Sequence, residues 1–300
     1  MAHDLTLDDI ALRLQNLYRL PPMPAVALHI LRVTRDPDSS AADLTRLIEQ
    51  DPSLTAQVLR YARSALFGYP GQLDSVQEAI TRVLGFDRVG HLAMGLAASK
   101  AFTIPDEGPL GLSAFWRHSL HCAYLAQAIA AAADTEETIK PDMAYLCGLL
   151  HNFGLLLVAH LYPAEFRVLN RLRTEEPELP LATLERRVFG ESGCDEVLAV
   201  GHGAIGGVLA KLWQLPDEVV KVAGVHQGTG YRGEFAGYVA AVQLANEVLK
   251  ARGIGDEFDE RETTPAMVAL GLDAAALERL AQAIDSASAE LDTLASSLAA

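Results

Sequence analysis

A pair of polar residues inside an apolar segment is the part of this sequence best suited to chemistry. His151 and Asn152 lie within residues 145–158, where the flanking side chains are almost all apolar. A buried polar group without a hydrogen-bond partner costs about 1–3 kcal/mol, so both side chains need partners inside the protein. The pair is therefore either a satisfied structural feature of the core or part of a polar cavity.

Three further histidines favour the cavity. His118, His202 and His226 occur in comparable apolar helical settings on both sides of the pair. His118 and His121 lie three residues apart on one predicted helical face, a spacing that can chelate a metal ion but is also common by chance. His160 follows nine residues after the histidine of the pair, so it faces the opposite side of the predicted helix and is not expected to join the cluster.

The elements that must position these side chains are predicted to be helices. Apolar residues recur at helical spacing in every segment that carries a candidate residue, including the segment with Asn246. Residues 216–226 are rich in valine, which would suit a strand, but no second strand is predicted to pair with them. The predicted helices of this part of the chain are residues 113–133, 142–161, 202–214, 216–226, 235–252 and 274–298.

Breaks in the helical pattern of apolar residues divide the chain into three predicted parts. A segment rich in proline, glycine and acidic residues, 104–109, is the predicted domain boundary. The predicted parts are a helical N-terminal bundle (1–105), a helical domain (106–252), and an acidic loop with a C-terminal helix (253–300). In the first part we predict a helix that begins at Thr6 and a capping box formed by Ser75 and Glu78. Residues 256–262 are predicted to be a solvated acidic run.

The amino-acid composition limits the classes of protein to which this chain can belong. The chain has 300 residues, 50% of them hydrophobic, which is enough for a sizeable core. Almost all of the net charge of −15 falls after residue 105, so direct binding of nucleic acid by that part is not expected. No long apolar stretch is free of polar or glycine interruptions, and we expect a cytoplasmic protein without a membrane contact. The cysteines 122, 147 and 194 have no metal-binding spacing and are interpreted as core thiols.

The order of several short motifs resembles the HDOD family, the signalling branch of the HD superfamily, which is named for a metal-binding His-Asp pair. The resemblance spans nearly the whole chain, and it is specific because motif order and context agree. The motifs are Leu20-Pro21-Pro22-Met23-Pro24, Asp51-Pro52-Ser53-Leu54, Leu84-Gly85, Trp116-Arg117-His118-Ser119, Gly148-Leu149-Leu150-His151-Asn152, Glu185, His202 ahead of Leu212-Trp213-Gln214-Leu215-Pro216, and His226.

The resemblance implies an all-α protein with a helical N-terminal bundle packed on an HD-like helical domain. It also implies a pocket formed by six residues, with a regulatory role instead of catalysis. These residues are His118, His151, Asn152, His202, His226 and Asn246.

The sequence departs from the catalytic members of the superfamily at its carboxylates. Asn152 stands where the aspartate of the His-Asp pair belongs, Asn246 stands where a later aspartate is expected, and Gln227 replaces the second member of a His-His pair. Arg63 replaces an asparagine of the family pattern. A neutral amide cannot offset the charge of a metal ion as a carboxylate does, so metal affinity should be reduced at least 10–100-fold.

Three functions are compatible with these departures. The favoured one is a non-catalytic regulatory protein with a degenerate pocket, which needs no cofactor and acts through signalling proteins. The sequence does not decide whether such a regulator also binds a small ligand or nucleotide, or whether it self-associates. The second is a metal-dependent phosphohydrolase that uses His118, His151, His202 and His226 as an all-imidazole site for a divalent metal. The third is a purely structural adaptor.

Overall fold

Every regular secondary-structure element in the described part of the chain is a helix. The computed structural model describes residues 20–106, 108–135, 138–190, 201–256 and 263–299, and none of these residues lies in a β-strand. The expected all-α fold is confirmed. The α-helices are α1 (Ala25–Arg35), α2 (Ala41–Ile48), α3 (Pro52–Ala62), α4 (Val76–Glu78), α5 (Phe86–Ser99), α6 (Leu112–Ala132), α7 (Pro141–Leu150), α8 (Phe153–Leu161), α9 (Pro163–Glu175), α10 (Leu181–Glu185), α11 (His202–Leu212), α12 (Asp217–Val225), α13 (Ala236–Lys250), α14 (Thr264–Ala269) and α15 (Ala274–Ala299).

Some predictions fall outside these residues. They concern the helix predicted to begin at Thr6, the thiol of Cys194, and the acidic run after residue 256. The other two cysteines, Cys122 and Cys147, are buried thiols, as predicted.

Serine side chains cap the starts of α2 and α4. At α2 the Ser40 hydroxyl accepts from the Asp43 N–H (3.3 Å), and the Asp43 carboxylate accepts from the Ser40 N–H (2.9 Å). At α4 the Ser75 hydroxyl accepts from the Glu78 N–H at 3.2 Å, as predicted. The Glu78 carboxylate accepts from the N–H of Asp74 (3.0 Å) instead of Ser75, so the forward half of the predicted capping box is confirmed.

Residues 142–161 form two helices, and the prediction of a single central helix is wrong. α7 ends at Leu150 and α8 begins at Phe153, so His151 and Asn152 form the turn between them. The Nδ1 atom of His151 lies 2.7 Å from the Gly148 carbonyl oxygen, which accepts from the imidazole. Periodicity could not reveal this break because the residues on both sides are apolar and buried.

Two glycines let the helices around this turn approach one another closely. A Cβ atom at Gly148 of α7 would lie 2.8 Å from the Cα atom of Ala123 in α6. A Cβ atom at Gly154 of α8 would lie 2.7 Å from the backbone nitrogen of Gly206 in α11, and closer still to the carbonyl oxygen of His202. Only glycine fits at these crossings, and they bring α6, the turn and α11 together.

The C-terminal helix α15 packs on other helices of the same chain. Its apolar stripe is buried, with Ile284 fully enclosed. The helix lies along α6, where Arg117 Nε donates to Asp292 at 2.7 Å. It also reaches the N-terminal bundle, where the Ser64 hydroxyl donates to Glu290 at 3.1 Å.

One segment of the described chain is long and apolar enough to span a membrane by length and composition alone. It is Pro141–Leu161, which contains α7, the turn and α8. Its apolar window is 89% buried inside the protein, so these side chains are already covered by the surrounding helices.

Candidate functional site

Four imidazoles converge at one place in the helical body. The ring centroids of His118 and His151 are 5.0 Å apart, those of His151 and His226 are 4.9 Å apart, and those of His202 and His226 are 5.5 Å apart. All four side chains are buried. They come from α6, from the turn before α8, from the first residue of α11 and from the residue after α12. These four residues and Asn152 form the histidine cluster.

Hydrogen bonds to the Nδ1 atoms fix the orientation of three of these rings. His151 Nδ1 lies 2.7 Å from the Gly148 carbonyl, and His226 Nδ1 lies 2.9 Å from the Ala223 carbonyl. Because a carbonyl only accepts, both Nδ1 atoms carry the proton and both Nε2 atoms are lone-pair acceptors. His202 Nδ1 lies 2.8 Å from the carboxylate of Glu185, a buried residue of α10.

The two amides join the imidazoles into a network. Asn152 Nδ2 lies 3.3 Å from His118 Nδ1, and Asn152 Oδ1 lies 3.2 Å from His202 Nε2. Asn246, half-buried on α13, accepts at Oδ1 from His118 Nε2 at 3.0 Å. Its Nδ2 lies 3.5 Å from His151 Nε2. All six residues that the sequence assigned to one pocket are therefore neighbours in the structure.

Asp256 is a member of the site that the sequence analysis missed. It had been assigned to a solvated acidic run, but its side chain is only 12% exposed and accepts at Oδ2 from Asn152 Nδ2 at 2.8 Å. Its carboxylate oxygens lie 3.7 Å from His118 Nδ1 and 3.5 Å from His202 Nε2. Glycine 255 just before it has a φ of 137°, a conformation that favours glycine and turns the chain into the cluster. That flanking glycine was the available sequence signal.

Burial and charge set the ionisation of the site. Burial lowers the pKa of His151 well below its ordinary value, and neighbouring His226 and His118 add to the effect. Burial likewise lowers the pKa of His226 to about 3. Burial raises the pKa of Asp256, but the surrounding imidazoles, His118 foremost, outweigh it and hold the pKa below its ordinary value. The imidazoles of His151 and His226 are therefore neutral at neutral pH and lie beside the ionised carboxylate of Asp256.

A buried thiol adjoins the cluster. Cys122 lies one helical turn after His118 on α6, and the ligand atoms of His118, Cys122 and His151 all lie within 4.8 Å of one another. Burial raises the pKa of Cys122, so the thiol is protonated. The sequence analysis treated it only as a core residue, although its i+4 spacing from His118 indicates a shared helix face.

A cavity of about 410 Å³ opens beside the cluster. Its wall includes His118, His226 and Asp256 from the cluster side, together with Asn246 and Lys250 of α13. Lys250 donates to Glu247, another wall residue, at 3.1 Å. The volume lies in the range of small-molecule pockets, so a ligand in it could touch the imidazoles directly.

His121 and His160 lie outside the cluster, and for His160 this is what the sequence analysis predicts. His121 Nδ1 lies 2.7 Å from the Arg117 carbonyl, and its Nε2 lies 3.2 Å from the Ser288 hydroxyl of α15. His160 Nδ1 accepts from the backbone N–H of Thr103 at 3.0 Å.

Comparison with known proteins places this chain among solved helical structures. A candidate signal transduction protein of Marinobacter aquaeolei VT8 is 28% identical, with a TM-score of 0.81 over 100% of this chain and 62% of its own. An HDOD domain protein of unknown function from Geobacter sulfurreducens is 25% identical, with a TM-score of 0.75 over 97% of each chain. A candidate metal-dependent phosphohydrolase of Shewanella amazonensis SB2B is 20% identical, with a TM-score of 0.64 over 96% of this chain and 97% of its own, and shares the fold.

Sequence comparison gives the family. An uncharacterized protein of Treponema pallidum (strain Nichols) is 28% identical over 233 residues, which are 77% of this chain and 42% of that protein. The chain thus spans less than two thirds of the length of the Treponema and Marinobacter relatives. The family profile of the HDOD domain matches residues 20–229, well over half of the sequence. This match shows that the chain belongs to the HDOD family.

Proposed function

We propose that this protein is a non-catalytic cytoplasmic regulator. The histidine cluster and its cavity bind a ligand, and signalling proteins recognise the conformation that the ligand stabilises. The observation that carries the proposal is the position of the two amides. Asn152 and Asn246 occupy the places where hydrolytic relatives carry carboxylates, and both contact imidazoles of the cluster. Two neutral amides supply neither the negative charge nor the bridging oxygens that a metal-dependent hydrolase uses to activate water.

Asp256 supports the same proposal. Its carboxylate lies 3.7 Å from His118 Nδ1 and 3.5 Å from His202 Nε2. A negative charge at this place repels the phosphoryl group of a substrate, which is also negatively charged.

A chain of contacts connects the pocket with the N-terminal bundle. His118 lies on α6 next to Arg117, whose guanidinium donates to Asp292 of α15. The same helix α15 is bonded through Glu290 to Ser64 in the bundle. A ligand that prefers one arrangement of these helices over another shifts their populations, which is the physical requirement for signalling. The Marinobacter relative, a candidate signal transduction protein, is in keeping with this role.

The test is a hydrolysis assay. Purified protein is incubated with a phosphomonoester and with cyclic dinucleotides in the presence of Mg²⁺, Mn²⁺, Fe²⁺ or Ni²⁺. We expect no turnover above that of His151→Ala, because the carboxylates needed to activate water are missing. Turnover that His151→Ala abolishes would overturn the regulatory proposal.

The second candidate function is a metal-dependent phosphohydrolase, and the Nδ1 bonds favour it. A metal-ligating histidine almost always donates the N–H of its other ring nitrogen to a carboxylate, a carbonyl or water. At His151, His202 and His226 the bonded nitrogen is Nδ1, so Nε2 is available for a metal ion. The donor set thus fits an ion that prefers imidazole. The hydrolysis assay decides between the two functions.

A further inference from the structure

We propose that the cavity beside the histidine cluster binds a small organic cation, whose charged head group contacts the carboxylate of Asp256 and whose apolar part fills the remaining space. Primary ammonium and amidinium compounds belong to this class. The inference rests on the proposed function, which gives the cavity a ligand, and it names the chemical class of that ligand.

The carboxylate of Asp256 brings a negative charge to the cavity wall. Its side chain is only 12% exposed, and its Oδ2 accepts from Asn152 Nδ2 at 2.8 Å. His118 is neutral, because Nε2 donates to Asn246 at 3.0 Å and Nδ1 accepts from the Asn152 amide at 3.3 Å. His226, the other imidazole of the wall, is neutral because burial lowers its pKa to about 3. Neither ring of the wall therefore offsets the carboxylate.

The described charged side chains around the cavity sum to a negative charge. Lys250 and Glu247 both line the cavity and form an ion pair at 3.1 Å, so their charges cancel. Behind the wall, His202 lies between two carboxylates, that of Glu185 at 2.8 Å and that of Asp256 at 3.5 Å. Even a doubly protonated imidazole offsets only one of these two carboxylates. At least one negative charge therefore remains beside the cavity.

This charge decides the sign of the ligand. A carboxylate that is withdrawn from water and not offset by a positive charge is costly to bury. A bound cation removes this cost, whereas an anion would place a second negative charge beside the first. Almost all of the net charge of −15 of the chain falls after residue 105, in the part that contains the cavity, and it attracts cations over a longer range.

The size and the apolar part of the wall indicate an organic cation. The cavity has a volume of about 410 Å³, and Ile254, Pro265 and Ala266 contribute apolar surface to it. A hydrated inorganic ion leaves such surface in contact with water, whereas a hydrocarbon or aromatic group covers it. One charged group on a mostly apolar wall is the arrangement that orients a small organic ligand.

The experiment uses three planar probes of nearly the same shape that differ in charge. Benzamidine is a cation at neutral pH, benzamide is neutral and benzoate is an anion. Calorimetry measures the binding of each to the chelator-treated full chain at about pH 7.5, where an ordinary imidazole is mostly neutral. We expect benzamidine to bind at least about 10-fold more tightly than benzamide, because its bond to the carboxylate is charge-assisted at both ends. Benzoate should bind most weakly, and the chelator excludes binding through a metal ion.

Two variants locate the bound cation. Asp256→Asn removes the carboxylate and should weaken benzamidine binding at least about 10-fold, with little effect on benzamide. Glu247→Gln removes another negative charge from the wall and should narrow the difference between benzamidine and benzoate. The control Asp217→Asn removes the same charge from an exposed site on α12 and should leave all three affinities unchanged.

Three outcomes would overturn the inference. They are benzoate binding as tight as that of benzamidine, no benzamidine binding at millimolar concentration, and an Asp256→Asn variant that keeps the preference for benzamidine. Should Asp256→Asn fail to fold, Asp256→Glu retains the negative charge and should retain the preference, so that its loss in this variant also contradicts the inference. Phosphoester turnover would overturn the non-catalytic function but not the class of ligand, so the two proposals fail separately.

Discussion

At the scale of single residues, the charge of the site depends on which member of the pair Asn152 and Asp256 carries the carboxylate. Asn152 donates to Asp256 at 2.8 Å, although the two residues are 104 positions apart in the chain. The pair holds one negative charge, with the amide in the motif position and the carboxylate on the segment after α13. A carboxylate at both positions would bring two like charges together inside a buried network.

This pairing predicts a pattern of stabilities for the swapped residues. In the presence of a chelator, Asn152→Asp and Asp256→Asn should each lower the free energy of unfolding by about 1–3 kcal/mol. The first replaces the hydrogen-bond donor by a second carboxylate, and the second replaces the charged acceptor by a neutral amide oxygen. The double variant Asn152→Asp/Asp256→Asn restores one amide and one carboxylate, and should recover most of the loss. Urea unfolding of the four proteins measures the coupling. Simple addition of the two losses would show that the pair does not interact.

At the scale of helices, close crossings assemble the cluster. The glycine at 154 lets α8 approach the start of α11, where His202 lies, and Gly148 lets α7 approach α6, where His118 lies. The turn at His151 and Asn152 lies between these two crossings. The geometry of the site thus depends on backbone contacts as well as on the polar side chains.

A pair of glycine substitutions tests whether the close helix crossings are needed for the structure of the site. Gly154→Ala places a Cβ atom against the backbone of α11 and should destabilise the protein by about 1–3 kcal/mol or more. The control is Gly224→Ala on α12, where the new Cβ would lie 3.8 Å from the nearest Cα atom, that of Gly207. It should be neutral or stabilising by roughly 0.5–1 kcal/mol, because alanine favours a helix. Equal thermal stabilities of the two variants would contradict the role of the crossing.

At the scale of the whole molecule, helix α15 connects the parts of the chain. It lies along α6, contacts α3 and bonds to Ser64 in the N-terminal bundle. It also covers His121, which is bonded to Ser288. The domain boundary at residue 105 stays a prediction, but the contacts of α15 show that the C-terminal helix belongs to the same packed body.

Buried histidines make the stability of this body depend on pH. Burial lowers the pKa of His91, His121, His151 and His226 below the ordinary value, while Asp256 opposes the shift at the last two. The unfolded chain therefore binds protons that the folded chain does not, and the free energy of unfolding falls as the pH drops below about 6.5. Each of these histidines lowers the free energy of unfolding by up to about 1.4 kcal/mol per pH unit. The contribution of His226 continues down to about pH 3. The lowered pKa of Asp256 adds a loss in the same direction at more acidic pH.

Urea unfolding at about pH 7.5, 6 and 5 in the presence of a chelator measures this dependence. His91→Gln removes one buried imidazole that lies outside the cluster, bonded at Nδ1 to the Asp142 carbonyl, and should reduce the slope by up to about 1.4 kcal/mol per pH unit. A stability that is flat between about pH 7.5 and 5 would contradict these ionisation states.

The sequence by itself determined the helical class, most helix positions and the members of the histidine cluster. Helical periodicity and capping residues act over a few positions, and motif order identified His118, His151, His202 and His226 together. Only the tertiary structure decided that the segment around His151 breaks into two helices. The reason is that a buried segment with apolar residues on every side carries no periodic signal of a break.

The tertiary structure alone also decided the chemistry inside the cluster. The protonated nitrogen of three rings follows from the acceptor that faces Nδ1, such as Glu185 at His202, 17 positions away. At His118 the protonated nitrogen is Nε2, which faces Oδ1 of Asn246. The carboxylate of the site follows from the path of the chain after α13, which returns Asp256 to Asn152. Local sequence encodes neither, because charge and hydrogen bonding in a buried site are set by neighbours in space that are distant in the chain.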